Sequence, residues 1–330
     1  MATYSKVKQE IAIATGATKS GKNLIINGGM QVAQRGTSFT SSSVNEYSLD
    51  RWRTEGYGLS TVISQQSFTV GQTDVPDFPT NYVRVTTNNT IASGEFWSFQ
   101  QRIEKPQVIP IGTQNFTLSF WAKSVSGTIS ATAFSFGIGS DKVDCPEITT
   151  SWQKITTTIN RVVSSSSAYE STYLVYLGPG KAAISIDIAN VQLEIGDVAS
   201  PFEHRSYGDE LLACMRYYQQ IGGETPANVL CTGQCTSSTL AQFLIPFIVP
   251  VRDDPTCSVS NQTHFRVFNA AVSGIPDTTN ITIAATNAAS YGSFRIVATV
   301  SSGLVAGNAT MLSGSNSNNN AGIIKIDAEL

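Results

Sequence analysis

Apolar and polar residues alternate with a period of two along most of this chain, and the alternation gives way to a helical period between Ile184 and Gln219. Ile184, Ile186 and Ile188 alternate with small or polar residues, the pattern of a strand with one buried face. Val191 and Leu193 continue at the opposite parity, so both sets reach one core only if the strand bulges near Ala189 and Asn190. Gly196 and Asp197 break the strand, and Pro201 keeps Ser200 extended. Ser206 with Asp209 then reads as a capping box. Leu211, Leu212, Met215 and Tyr218 form an apolar stripe, and Gly222 with Gly223 supply a stop, which predicts a linking helix over 206–223.

Upstream, strand patterns cover 61–70, 82–87, 96–104, 116–123, 129–136, 153–163, 173–177 and 184–194, separated by Gly, Pro, Ser or Asn clusters with no long helix between them. That spacing predicts an all-β sandwich over 23–205. A second set at 239–251, 257–259, 265–268, 281–285, 293–300 and 323–330 predicts a smaller β domain over 224–330. Within it, QFLIPFIVPVR from Gln242 is apolar enough for burial on both sides, with Pro246 and Pro250 confining it to edge or bulged geometry. Thr278, Thr279, Asn280 and the Asn-rich loop near Asn316 read as turn tips. Residues 1–22 hold too few large apolar side chains for a core and read as an arm that orders on another protein.

A length of 330 residues suits about two domains. Lys and Arg number 21 against 24 Asp and Glu, a net charge of -3, so the chain lacks the basic surface that nucleic-acid phosphates demand. No run reaches the roughly 18 apolar residues of a membrane span, and membrane insertion is not expected. Cys145, Cys214, Cys231, Cys235 and Cys257 are odd in number and scattered, which argues against a disulfide framework. Cys231 and Cys235 lie four apart, but no second Cys or His pair is near to complete a zinc site, and His204 and His264 stand alone. No metal or cofactor is expected.

Catalytic patterns are equally sparse. GxSxG is absent, neither histidine sits in a triad context, and Asp50, Glu95, Glu104, Asp144 and Glu194 read as surface or turn carboxylates as readily as an opposed glycosidase pair. No catalytic residue is assigned, and an enzyme is not expected. Sugar binding by stacking and core packing draw on the same aromatic residues. Trp121, in step with Phe116, Leu118 and Phe120, and Trp152, at a strand start, read as core or edge packing. Tyr57 in GYG and Trp97 in GEFWSF are the candidates for exposed carbohydrate-binding platforms, burial being the alternative for each.

The stretch VQLEIGDVASPFEHRSYGDELLACMRYY resembles the junction in a family of bacteriophage tail and tail-fibre proteins. NLIINGGMQVAQRGTSF from Asn23, YSLDRW from Tyr47, QQRIE from Gln100, LSFWAKS from Leu118 and the final IKIDAEL resemble the same family, so the likeness extends over most of the chain. It implies that 23–205 is a jelly-roll similar to carbohydrate-binding modules, followed by the helix and the second β domain. It implies a core role for Trp52, with Asp50 and Arg51 pairing nearby. Such modules often hold a structural calcium, but Ala189 and Asn190 stand where an acidic pair is usual and Asp187 is out of position, so calcium is not expected.

The function implied is that of a virion structural protein, a tail fibre or tail appendage. Residues 1–22 would dock on other virion proteins, and several copies, a trimer by family habit, would adhere to host surface glycan. Two alternatives stay open: a head decoration or head-fibre protein with a purely structural role, and a glycan-degrading enzyme.

Overall fold

The alternating stretches form antiparallel sheets in the computed structural model, which describes residues 22–41, 45–57, 59–105, 109–223, 228–269, 275–284 and 292–330. The arm expected over 1–22 lies outside these residues except for Lys22. The chain divides into two units, Met1–Glu210 with Leu330, and Leu211–Glu329.

The first unit contains β1 (Ser38–Ser41), β2 (Arg53–Gly56), β3 (Thr61–Ser67), β4 (Asn81–Thr87), β5 (Trp97–Glu104), β6 (Gly112–Ser124), β7 (Ser135–Ile138), β8 (Asp141–Asp144), β9 (Gln153–Val163), β10 (Tyr169–Leu177) and β11 (Ser185–Ile195). They form a six-stranded sheet, β1-β3-β4-β11-β6-β9, and a five-stranded sheet, β2-β5-β10-β7-β8. The inner faces share one core that includes Phe99, Phe116, Phe120, Phe136, Ile186 and Leu193. Strands distant in sequence lie side by side, and the unit is a jelly-roll β-sandwich.

β11 shows why the parity of its apolar residues changes. Its register against β6 shifts between Ala189 and Gln192, and Asn190 takes a φ of 48°. Ile186, Ile188, Val191 and Leu193 are therefore all buried. The NGG segment crosses the strand here, with the Val191 amide donating to Gly28 O at 2.9 Å. A Cβ on Gly28 would lie 2.2 Å from Val191 O, so only glycine allows this approach.

Trp52 is fully buried, stacks on Phe99 at 5.2 Å and donates from Nε1 to Asn27 O at 3.0 Å. The expected Asp50–Arg51 pair is replaced by separate partners. Asp50 accepts from the Gln34 amide and Nε2, both at 2.6 Å, while Arg51 Nη2 donates to Arg102 O at 2.5 Å.

The helix α1 (Tyr207–Met215) begins at the expected cap, where the Asp209 amide donates to Ser206 Oγ at 3.1 Å. It ends at Met215, short of the Gly222–Gly223 stop. Tyr218, assigned from sequence to the helical stripe, belongs to β12 (Tyr218–Gly222). Pairing of β12 with the last strand captures these residues and overrides their local pattern.

The second unit holds β12, β13 (Val229–Cys235), β14 (Leu240–Pro246), β15 (Thr256–Val259), β16 (Arg266–Asn269), β17 (Thr278–Ala284), β18 (Ser293–Val300), β19 (Ala309–Ser313) and β20 (Ile323–Asp327). Their sheets are β12-β20-β15 and β16-β19-β13-β14-β18-β17. Ala241, Phe243 and Ile245 of β14 are buried while Leu244 is 64% exposed, so this strand buries one face, and it pairs on both edges. Pro246 is tolerated there because it is the final residue. Thr278 and Asn280 lie in β17 and not at a turn tip. Asn316 is buried. Its Nδ2 donates to Thr263 O, and its Oδ1 accepts from the Asn318 and Asn320 amides, so it knits the Asn-rich loop together.

Candidate functional site

The outer face of the five-stranded sheet carries four aromatic rings in a connected row. Tyr57 meets Phe96 edge-on at 6.4 Å, Phe96 stacks on Tyr176 at 5.8 Å, and Tyr176 meets Tyr173 edge-on at 5.7 Å. β2 and β5 place the first two, with the Tyr57 amide donating to Phe96 O at 2.8 Å. A register shift of β10 against β5 between Tyr173 and Val175 places the others. Without that bulge, Tyr173 and Tyr176, three apart, would point to opposite faces. With it, Leu174 and Val175 are both buried and the two tyrosines share the outer face.

Polar groups border the row. In register across the sheet run Arg53, Gln100, Tyr173, Gly137 and Lys142, one from each strand. Gln100 Nε2 donates to Glu55 Oε2, Arg102 Nη2 lies 3.4 Å from the same oxygen, and the Arg102 guanidinium sits 4.1 Å from the Tyr169 ring centre. Gln100 Oε1 is buried without a hydrogen-bond partner. Lys142 Nζ lies 4.7 Å from both the Tyr173 and the Tyr176 ring centres and donates to Gly139 O at 2.7 Å. Burial, followed by the nearby Arg161, pushes the Lys142 ammonium below its ordinary value. Burial pushes the Tyr173 hydroxyl up. Aromatic surface, a fixed carboxylate and an ammonium are among the groups that recognise a polyhydroxylated ring.

The two sequence candidates part company here. Tyr57 is 60% exposed and forms one end of the row. Trp97 is 3% exposed and belongs to the sandwich core, so it is no platform: its place in β5 turns it inward beside Phe99. Sequence reasoning did not single out Phe96, Tyr173, Tyr176 or Lys142. The bulge hides the tyrosine pair, and Lys142 sits on the short polar strand β8, which has no apolar signal.

A second aromatic group, Phe68, Tyr82 and Trp152, packs within 4.8 to 5.4 Å on the other sheet, with Lys123 over Trp152. Beside it Asp187 is fully buried and held by Arg84 at 2.7 Å. Its charges are matched and its rings pack on one another. Trp121, read as core or edge packing, is half-buried on an interior strand, paired with Ala189 of β11 and Lys154 of β9. It lies outside the core that takes Phe116, Leu118 and Phe120, because its odd position turns it to the other face. His204 lies 3.9 Å from Asp77, and His264 Nδ1 contacts Ala321 O. The five cysteines are free thiols, with burial raising Cys231 to about 12 and Cys257 to about 11.

No protein-family model matches this chain, and no curated protein matches it. Among solved structures, it is similar to an arabinose-bound GH51 α-L-arabinofuranosidase at 14% identity, covering 56% of this chain and 29% of that one, TM-score 0.33. It is also similar to the enzymatically active domain of bacteriophage CBA120 tailspike protein 4 at 16% identity, covering 53% and 22%, TM-score 0.32. A third is the family 11 carbohydrate-binding module of Clostridium thermocellum in complex with a β-1,3-1,4-mixed-linked tetrasaccharide, at 14% identity, covering 50% and 98%, TM-score 0.29. The chain spans less than a third of the first two.

Proposed function

We propose that this chain is a non-catalytic glycan-binding protein of a bacteriophage virion, a tail fibre or tail appendage, and that it binds host surface glycan on the outer face of the five-stranded sheet. The observation that carries the binding reading is the row Tyr57, Phe96, Tyr176 and Tyr173, bordered by Glu55, Gln100 and Arg102. A pyranose stacks its apolar face on the rings while its hydroxyls meet the carboxylate and the guanidinium. Glu55 is held by Gln100 and Arg102, an arrangement suited to orienting a hydroxyl and not to delivering a proton.

The virion placement rests on the likeness of the junction and five further blocks to phage tail proteins. In that setting several copies, three by family habit, act together, and linked sites raise avidity by about 10² to 10⁴ over one site. The competing structural reading takes the rings as surface packing alone. Glycan-array binding by the intact chain separates the two. Binding that falls when Tyr57 and Tyr176 are replaced by alanine supports the glycan-binding reading, and an array without signal leaves the structural one.

A further inference from the structure

Four carboxylates of the five-stranded sheet, Asp141, Glu170, Asp144 and Glu55, have partners. Asp141 pairs with Arg161 at 2.6 Å, Glu170 with Arg161 at 2.7 Å and with Lys105 at 3.3 Å. Asp144 accepts from Ser135 Oγ at 2.9 Å, and Glu55 is taken by Gln100 and Arg102. Lys142 is different. Its contacts are the two tyrosine rings and Gly139 O. Asp141, itself paired with Arg161, favours its charge from nearby, but no carboxylate among the described residues lies within ion-pair distance of it. A half-buried ammonium loses hydration, and ring faces with one carbonyl return less than a full negative charge would.

The sheet register explains how the charge comes to lie on the row. Lys142 is paired with Gly137, which is in turn paired with Tyr173. Gly137 presents no side chain, so the lysine extends across it onto both rings. A Cβ there would lie 2.3 Å from Asp141 O and 2.9 Å from Lys142 Cα, so β8 approaches this closely only over glycine.

We propose that the face selects acidic glycans, a sugar ring lying along the tyrosines with its carboxylate or sulfate beside Lys142. This rests on the glycan-binding reading above and adds the charge class of the ligand. The anion supplies the close counter-charge that Asp141, already paired with Arg161, does not, so preference for an acidic sugar over its neutral counterpart falls with salt and depends on residue 142.

The test uses the full chain on an array of neutral, uronate-, sialate- and sulfate-bearing glycans. The strongest ligand is then compared by calorimetry with its uncharged form, carboxyl-reduced or desulfated, or, if neutral, with a uronate analogue. The expected result is tighter binding of the acidic form by about tenfold or more, the scale of one charge-assisted hydrogen bond. Lys142→Gln abolishes that preference and Lys142→Arg retains it, which guards against a variant that fails to fold. Equal or tighter binding of the neutral form overturns the charge selection and leaves the glycan-binding reading in place. An array without signal, or binding indifferent to Tyr173→Ala and Tyr176→Ala, overturns both.

Discussion

Lys142 lies directly opposite Gly137 in the β7–β8 register, and its Nζ rests 4.7 Å from the ring centres of Tyr173 and Tyr176. A residue without a side chain thus sets where a charge falls on the aromatic face. Gly137→Ala forces a Cβ against the β8 backbone, 2.3 Å from Asp141 O. It is expected to destabilise the first unit by about 1–3 kcal/mol and to weaken glycan binding by displacing Lys142. Urea unfolding and calorimetry of this variant check both effects. A variant with wild-type stability and binding would show that the close approach is not needed.

All four tryptophans, Trp52, Trp97, Trp121 and Trp152, belong to the first unit, so their fluorescence follows the unfolding of that unit. Trp52 is expected to dominate its stability, because it is fully buried, stacks on Phe99 and satisfies Asn27 O. Trp52→Ala should cost about 3–5 kcal/mol. Trp52→Phe keeps the stack but leaves Asn27 O without the indole donor, and should cost less. Equal losses for the two variants would contradict this division.

Asp50 and Glu210 make the first unit sensitive to pH. Burial raises both carboxyls, against the lowering influence of Arg35 and the Gln34 hydrogen bonds for Asp50, and of the Asn27 amide and Arg205 for Glu210. The unfolded chain releases these protons near the ordinary 3.8 and 4.5, whereas the folded chain holds them to higher pH. Their contribution is therefore complete below those values and is lost as pH rises through the raised folded ones. Asp50→Asn with Glu210→Gln should flatten that decline in tryptophan-detected urea midpoints. A decline that matches wild type would exclude these two groups as its source.

The cap of α1 is testable by one atom. Ser206 Oγ accepts the Asp209 amide at 3.1 Å and its hydroxyl donates to Asp209 Oδ2 at 2.7 Å. Ser206→Ala should cost about 1 kcal/mol. Ser206→Asp should recover most of it in thermal unfolding. Failure of the aspartate to recover would show that the loss arises elsewhere.

The parts legible in the sequence are those in which local pattern and tertiary placement agree. The β11 bulge followed from the parity change between Ile188 and Val191, and β9 (Gln153–Val163) matches its alternating pattern residue for residue. The start of α1 followed from Ser206 and Asp209. Its end did not, since Tyr218 and Gly222 are claimed by pairing with β20, a strand about a hundred residues away. β1, β2 and β8 passed unnoticed because four-residue strands of largely polar sequence offer no periodic signal.

The candidate face was the harder reading. Tyr57 was visible as an aromatic between glycines, but Trp97 has an equally polar setting and lies in the core. Tyr173 and Tyr176 share a face through a bulge that their spacing argues against. Lys142 acquires its position only through Gly137, a residue that pairing brings opposite and that nothing local distinguishes.

The central claim is that the tyrosine row binds glycan, and calorimetry of the strongest array ligand with wild type and with Tyr173→Ala/Tyr176→Ala tests it most directly. Loss of two stacking rings is expected to weaken binding by at least about tenfold, with the tryptophan-detected unfolding midpoint little changed. Unchanged affinity in the double variant, or no ligand for the wild type, would contradict the account.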